Sequence, residues 1–304
     1  MTPSFILRKL KMPSVLTIGV FDGVHLGHQK LLDFAREIAS KNELPLLVLT
    51  FEPHPEEVLF EKKKFLLTEI KEKERRIIRR NVDGLLIINF DSQVSRYSPH
   101  KFVQELLSLS PKFMVVGESF RFGKGRKGDV RFLKEEGKKQ GFEVFSLPLV
   151  KVDGEIVSSS RIRELIWEGK IELANKLLGE SFHLEGEVVR GEGIAFRELG
   201  VPTANLSVSK RLIRPRYGVY AGKASLKGEK FPAIIYVGVS PTFSLREEAI
   251  EVYLPDFKGD LSGERMRIDF LRFIREERKF DTPHDLKNQV RKDIEKAKMI
   301  LASL

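Results

Sequence analysis

The sequence contains no cysteine, which excludes disulfides, zinc–thiolate centres and thiol nucleophiles. No apolar run approaches a membrane span and no signal-peptide core opens the chain, so a cytoplasmic protein without a membrane partner is expected. The pattern Gly-x-x-x-x-Gly-Lys-Ser/Thr does not occur, which removes a P-loop phosphoryl-transfer machine. Internal repeats and low-complexity tracts are missing as well. What is present is 304 residues of 41% hydrophobic content, enough for two domains. Lys and Arg number 53 against 43 Asp and Glu, a net charge of +10. Much of that excess lies in mixed-sign runs such as 71–80 and 275–279, the pattern of solvated helix faces. A basic balance also concentrates polyanionic small substrates such as ATP.

The first half alternates short apolar runs with helical patterns. Strands are expected at Val15–Val20, Leu46–Phe51, Leu85–Phe90, Phe113–Gly117 and Glu143–Pro148, and helices at Gln29–Ser40, Glu69–Arg80, His100–Leu109, Val130–Gln140, Arg161–Glu168 and Ile171–Leu178. That alternation predicts an α/β domain, a parallel sheet wrapped by helices on both faces. From Phe182 onward the runs at 183–190, 218–226, 231–239, 249–254 and 266–273 alternate apolar and polar residues with turn signals between them. They predict a mainly β domain, an antiparallel barrel or sandwich, closed by a helix from Pro283 to Leu301. The domains are accordingly placed at 1–181 and 182–304.

The most informative stretch runs from Gly19 to His28, Gly-Val-Phe-Asp-Gly-Val-His-Leu-Gly-His, between the first strand and the first helix. At a strand–turn–helix junction, free backbone N–H groups and the helix dipole converge on one spot suited to phosphate. His25 and His28 are placed to face that spot. The turn around them, with Gly19, Phe21, Asp22, Gly23 and Gly27, is a candidate nucleotide-binding loop. Three more segments close strands at the same sheet edge: Thr50–Pro55, Gly117–Gly123 with the basic loop Lys124, Arg126, Lys127, and Val157–Arg163. In the last, Ser159, Ser160 and Arg163 suit phosphate contacts from a helix start. Simpler roles compete with each: Ser-Ser-Ser is a good N-cap, and Pro53-His54-Pro55 is a rigid turn. Two histidines, an arginine, serines and helix N-termini suit attack by a substrate phosphate on the α-phosphorus of ATP, with pyrophosphate leaving.

In the second half, Pro202-Thr203-Ala204-Asn205 in extended conformation puts Thr203 and Asn205 on one side. A hydroxyl and an amide oxygen can share a hard cation such as Mg²⁺ with nucleotide phosphates. Two ordinary polar residues on a proline-initiated strand is the competing reading. Glu251 shares a strand face with Ala249 and Tyr253, where a carboxylate in a barrel mouth can take a proton from a substrate hydroxyl; an ordinary surface carboxylate, one of many in the chain, is the competing reading.

Taken together, these motifs resemble the bacterial bifunctional riboflavin kinase / FAD synthetase family over nearly the whole chain. The first half resembles its FMN adenylyltransferase module at Gly19–His28, Thr50–Pro55, Phe120–Gly123 and Ser159-Ser160-x-Ile162-Arg163. The second resembles the riboflavin kinase barrel at Leu199-Gly200, Pro202–Asn205, Gly218-Val219-Tyr220, Pro241-Thr242-Phe243, Glu251, Asp256-Phe257, Asp260-Leu261 and Arg275–Phe280. The resemblance implies a Rossmann-like nucleotidyltransferase sheet followed by a riboflavin-kinase-like barrel with a terminal helix. It implies that the second half phosphorylates riboflavin to FMN with ATP and Mg²⁺, Thr203 and Asn205 holding the metal and Glu251 serving as base. It implies that the first half transfers AMP from ATP to FMN, giving FAD, with His25, His28, Ser159 and Arg163 on the phosphates. Arg197 falls in a phosphate-facing loop of the kinase half. Departures from the family pattern fall mostly there: Phe196 for a usual glycine, Tyr236 for asparagine, Ser240 for arginine, Tyr253 for histidine and Ser262 for tyrosine. In the first half, Ser119 replaces asparagine or aspartate.

These departures motivate one alternative, an FMN adenylyltransferase whose barrel only binds flavin or serves assembly. A second alternative is a basic RNA-binding barrel. The sequence lacks the string of aromatics interleaved with Arg and Lys that a stacking platform needs, so no nucleic-acid partner is expected. A sister transferase acting on phosphopantetheine or a nicotinamide mononucleotide accounts for the first half only. Flavin-ring contacts and protein partners are not assigned.

Overall fold

The computed structural model describes residues 12–60, 65–189, 203–239 and 248–303, apart from 256, 258 and 260. The chain divides into two compact units, residues 1–159 and 160–304. In the first, β1 (Ser14–Ile18), β2 (Leu46–Glu52), β3 (Gly84–Asn89), β4 (Pro111–Gly117) and β5 (Glu143–Leu147) form one sheet in the order β3-β2-β1-β4-β5. All four neighbouring pairs are parallel. β1 is buried along its whole length, as a central strand covered on both faces must be. Val15, Val48 and Val115 pack on one face with Leu32 and Ala35 of α1 (Leu26–Lys41). Leu16, Leu49 and Met114 pack on the other with Phe102 of α4 (Pro99–Leu106) and Leu133 of α5 (Val130–Gln140). The strand order reverses between β1 and β4, so the crevice at their C-terminal ends is the natural ligand site.

The expected strands and helices of this half are all present. α1 begins at Leu26, three residues before the expected start, because His25 caps it. Two features were not expected. One is α2 (Pro55–Leu59), which precedes α3 (Ile70–Ile78); the other is a small hairpin of β6 (Lys151–Val152) and β7 (Glu155–Ile156).

The second unit opens with α6 (Ser159–Trp167, its first residue at the division) and α7 (Ile171–Leu178). Strands β8 (His183–Val189), β9 (Thr203–Val208), β10 (Gly218–Leu226), β11 (Glu229–Val239), β12 (Glu248–Tyr253) and β13 (Arg265–Glu276) close an antiparallel barrel in the order β10-β11-β12-β9-β8-β13. Strand β9 is not among the runs read as strands from the sequence. The terminal helix α8 (Pro283–Ala302) is present where expected, N-capped by Thr282. Whereas the texture of the sequence changes at 182, the unit division falls at 159/160, because α6 and α7 pack on the barrel. Asn175 Nδ2 donates to Phe270 O at 2.8 Å, and Arg216 N–H to Ile166 O at 3.2 Å.

Directly paired residues in a sheet share a face. Tyr220, Ile235, Val252 and Ala204 follow one another across the barrel in register, and all are buried on its inside with Phe270. The opposite face carries Val219, Ala221, Ile234, Tyr236, Tyr253 and Ile274, which pack against Ile294, Ala297 and Ile300 of α8. The barrel therefore has a filled interior and a second apolar layer under its terminal helix.

Candidate active sites

The turn after β1 is built from backbone conformations that most residues avoid. Phe21 has φ +53°, Gly23 +82° and Val24 +40°. Left-handed backbone at a β-branched or bulky residue costs about 1–3 kcal/mol and persists only where the surroundings over-determine it. Here they do. The Asp22 carboxylate accepts from the N–H groups of Leu67 and Thr68 at 3.0 and 3.2 Å. Thr68 Oγ1 accepts from Gly23 N–H at 3.1 Å, Arg76 donates to Gly23 O at 2.8 Å, and Ser159 Oγ donates to Asp22 O at 2.9 Å. A Cβ on Gly19 would meet the Phe21 ring at 3.1 Å, and one on Gly27 would meet the His25 ring at 3.2 Å. Of the residues expected to bind nucleotide, Phe21, Asp22 and Ser159 thus build the turn with their side chains, while Gly19, Gly23 and Gly27 give it room.

What the turn presents is a pair of stacked histidines. The His25 and His28 rings lie 3.6 Å apart at 14°, with the Phe21 ring edge-on to His28 at 5.1 Å. His25 Nδ1 accepts from His28 N–H at 3.3 Å as the N-cap of α1, so in the neutral ring Nε2 carries the proton. His28 Nδ1 is buried without a hydrogen-bond partner. Burial, then His25, then Lys73 hold the His28 pKa well below its ordinary value, and the ring is neutral at physiological pH. The arrangement offers imidazole N–H donors and a helix N-terminus at the sheet's switch point, suited to charge spreading over phosphate oxygens. Ser160 and Arg163 lie on the first turns of α6, with Arg163 buried. His54 accepts from Glu56 N–H while Glu57 accepts from His54 N–H, so this histidine is a capping box, the simpler of its two readings.

In the second unit, β12 sets the geometry. Glu251 pairs directly with Asn205 of β9 on one side and with Tyr236 of β11 on the other. Tyr236 and Tyr253 belong to the layer under α8, so Glu251 lies on that outer face and Ile250 and Val252 point inward. The expected placement in the barrel mouth is corrected: the carboxylate sits on the barrel's outer, helix-covered side. It is 7% exposed, its Oε2 has no hydrogen-bond partner, and burial raises its pKa. Across the strand, Asn205 Nδ2 is likewise buried without a partner. Two uncommitted polar atoms on paired residues mark a place built to receive a polar group. An amide can turn either end toward it, and its oxygen is a donor a hard cation accepts. Thr203 begins β9 and pairs with Tyr253; its side chain, Arg197, Phe196, Ser240, Pro241–Phe243, Asp256 and Asp260 fall outside the described residues.

Two family models match the chain, FAD synthetase over residues 7–161 and riboflavin kinase over residues 178–301. The bifunctional riboflavin kinase/FMN adenylyltransferase of Escherichia coli K12 is 37% identical over 283 residues, covering 92% of this chain and 90% of its own. That of Buchnera aphidicola from Schizaphis graminum is 39% identical, covering 95% and 94%. The chain belongs to the bifunctional riboflavin kinase/FMN adenylyltransferase family. The Bacillus subtilis member is 35% identical and covers 97% of this chain. A solved structure described as a macrolide-efflux protein from Streptococcus pneumoniae matches at TM-score 0.86 and 33% identity over 95% of each chain. The efflux description belongs to that protein. Among the described residues here, no helix is long and apolar enough to cross a membrane.

Within this family frame, sequence reasoning missed the residues that hold the sites rather than fill them. Thr68, Lys73 and Arg76 fix the turn from α3 and the loop before it. Lys73 and Arg76 sit in a mixed-charge run that reads as a solvated face, yet both are buried. Tyr236, noted only as a departure, donates its hydroxyl to Glu277, and a Cβ on Gly238 would strike both partners. Burial, with the Glu277 carboxylate beside it, pushes the Tyr236 pKa up, so the phenol keeps its proton.

Proposed function

We propose that this chain makes FAD from riboflavin in two ATP-dependent steps, one in each half of the sequence. In the second unit, Glu251 takes the proton of the ribityl 5′-hydroxyl as that oxygen attacks the γ-phosphorus of ATP, giving FMN and ADP. In the first, an FMN phosphate oxygen attacks the α-phosphorus of a second ATP; the bond to the β-phosphate bridge breaks, and FAD and pyrophosphate form. His25 and His28, with the N-terminus of α1, bind and steady the phosphate charge of that transfer, and Arg197 does so in the kinase half. Residues 1–181 carry the adenylyl transfer and 182–304 the phosphorylation. Thr203 and Asn205 are the residues that would hold Mg²⁺, which when bound supplies charge neutralisation on the transferring phosphates. Riboflavin, FMN, FAD and ATP are the small-molecule partners, in the cytoplasm.

One observation carries the reading. Each unit keeps an uncommitted buried polar group where its own reaction needs one, His28 Nδ1 in the first and Glu251 Oε2 beside Asn205 Nδ2 in the second. Exchanging single residues tests it. His28→Ala is expected to cut FAD formation from supplied FMN by about 10²–10³-fold and leave riboflavin phosphorylation intact. An unchanged FAD yield would remove His28 from the site. What speaks against a kinase-inactive barrel is the same pair: Glu251 and Asn205 are retained on paired strands, with Oε2 and Nδ2 left without a hydrogen-bond partner, despite the substitutions around them.

A further inference from the structure

Lys73 has no part in the chemistry described above, yet it is placed as few lysines are. It lies on α3 at 5% exposure, and its Nζ donates to Phe51 O at 3.0 Å and to Val20 O at 3.3 Å. Burying an ammonium is costly even when its protons are satisfied, and an apolar side chain would fill the same space without that cost. The two carbonyls belong to the C-terminal edges of β1 and β2, the side of the sheet where a ligand binds. Val20 O accepts from Thr50 Oγ1 as well, at 3.0 Å, and Val20 directly precedes Phe21, where the left-handed turn begins.

The same ammonium also acts on His28 through its charge. Its charge is one of the three causes that keep His28 neutral, after burial and His25. The other charged groups packed around the turn are engaged elsewhere: Asp22 on the amides of Leu67 and Thr68, Arg76 on Glu72 and Gly23 O. Lys73 therefore holds the carbonyl from which the turn departs and adds its charge to the field around His28.

We propose that Lys73 is a positioning residue for adenylyl transfer, its ammonium bolting the Val20 and Phe51 carbonyls together so that the turn presents His25 and His28 to the triphosphate in one arrangement. The proposal rests on the adenylyl-transfer reading of the first unit. Misplacing such groups by about 1 Å costs on the order of 100-fold in rate. Lys73→Met, similar in length and uncharged, is expected to lower kcat/KM for FMN adenylylation about 10- to 100-fold, with riboflavin phosphorylation unchanged as an internal control.

Because the chain has no cysteine, a chemical rescue is available. Lys73→Cys carries a single thiol, which is alkylated in denaturant and refolded beside wild-type chain treated in the same way. Aminoethylation restores an ammonium at lysine length; propylation restores only the bulk. Recovery of FAD formation with the aminoethyl and not the propyl derivative supports the proposal, also where Lys73→Met fails to fold. Equal recovery with both derivatives would overturn it, as would a folded Lys73→Met with wild-type adenylylation. If wild-type chain itself makes no FAD from FMN, the adenylyl-transfer reading fails and the proposal falls with it.

Discussion

Glu251 is held where its charge is disfavoured, and that has two measurable consequences. Burial raises its pKa above the ordinary 4.5, so the folded chain binds this proton more tightly than the unfolded chain does. Its contribution to stability is present below about 4.5 and is lost as pH rises through the folded value; at neutral pH the buried carboxylate is a penalty. Glu251→Gln is therefore expected to raise the melting temperature of the second unit at pH 7. The same change should reduce FMN formation by about 10²–10⁴-fold and spare FMN-to-FAD conversion. A melting temperature that falls, or equal loss of both activities, would contradict the placement. His28 shows the opposite case for a base. Its pKa is held below the ordinary 6.5, so the stability it confers is present above 6.5 and is lost as pH falls through its folded value. The thermal stability of the first unit should fall from pH 7 toward pH 5, and His28→Ala should flatten that dependence. Of these residues, the histidines stood out in the sequence because residue type and spacing carry their chemistry, whereas Glu251 was singled out only by the family resemblance, being by itself one acidic residue among many. That His25 also serves as an N-cap was not legible, since capping depends on where the helix starts, and α1 starts at Leu26.

At the scale of elements, α8 is fastened to the barrel by a buried ion pair as well as by its apolar stripe. Arg275 of β13 meets Asp293 at 2.7 Å, Gln289 donates to the same carboxylate at 2.8 Å, and Asp293 is 3% exposed. Removing one partner of a buried pair leaves the other charge uncompensated. Asp293→Ala is expected to destabilise the second unit by about 3 kcal/mol, read as a lowered denaturation midpoint, with the first unit's transition unmoved. An unshifted midpoint would show that the apolar layer alone holds the helix. The strands β1, β2 and β4 were readable because strands covered on both faces form near-continuous apolar runs, and α5 and α7 have the bounds their patterns predict. Strand β9, Thr-Ala-Asn-Leu-Ser-Val, is too polar and short to announce itself. The face of β12 was misread for a different reason. Period-2 alternation tells which residues share a face, but both faces of this strand are buried over 249–252, so the sequence has no exposed side to mark which face is inward.

At the scale of the molecule, the chain joins a parallel α/β unit and a closed barrel, each with its own uncommitted polar groups and its own family match. The two textures were plain in the sequence, but the division at 159/160 was not. Helices α6 and α7 are amphipathic like those before them, and only the barrel strand they pack on, β13, reveals their allegiance. That strand lies about a hundred residues downstream, as the 95-residue separation of Asn175 and Phe270 illustrates. Two separate sites mean that the two activities should be separable by single substitutions and linked by a released intermediate. The most direct test is to give purified chain riboflavin, ATP and Mg²⁺ and to separate the flavins over time. FMN should appear first and then FAD, with one pyrophosphate released for each FAD formed. Riboflavin left unphosphorylated while supplied FMN is converted to FAD would contradict a catalytic barrel, and no FAD from either flavin would contradict both sites.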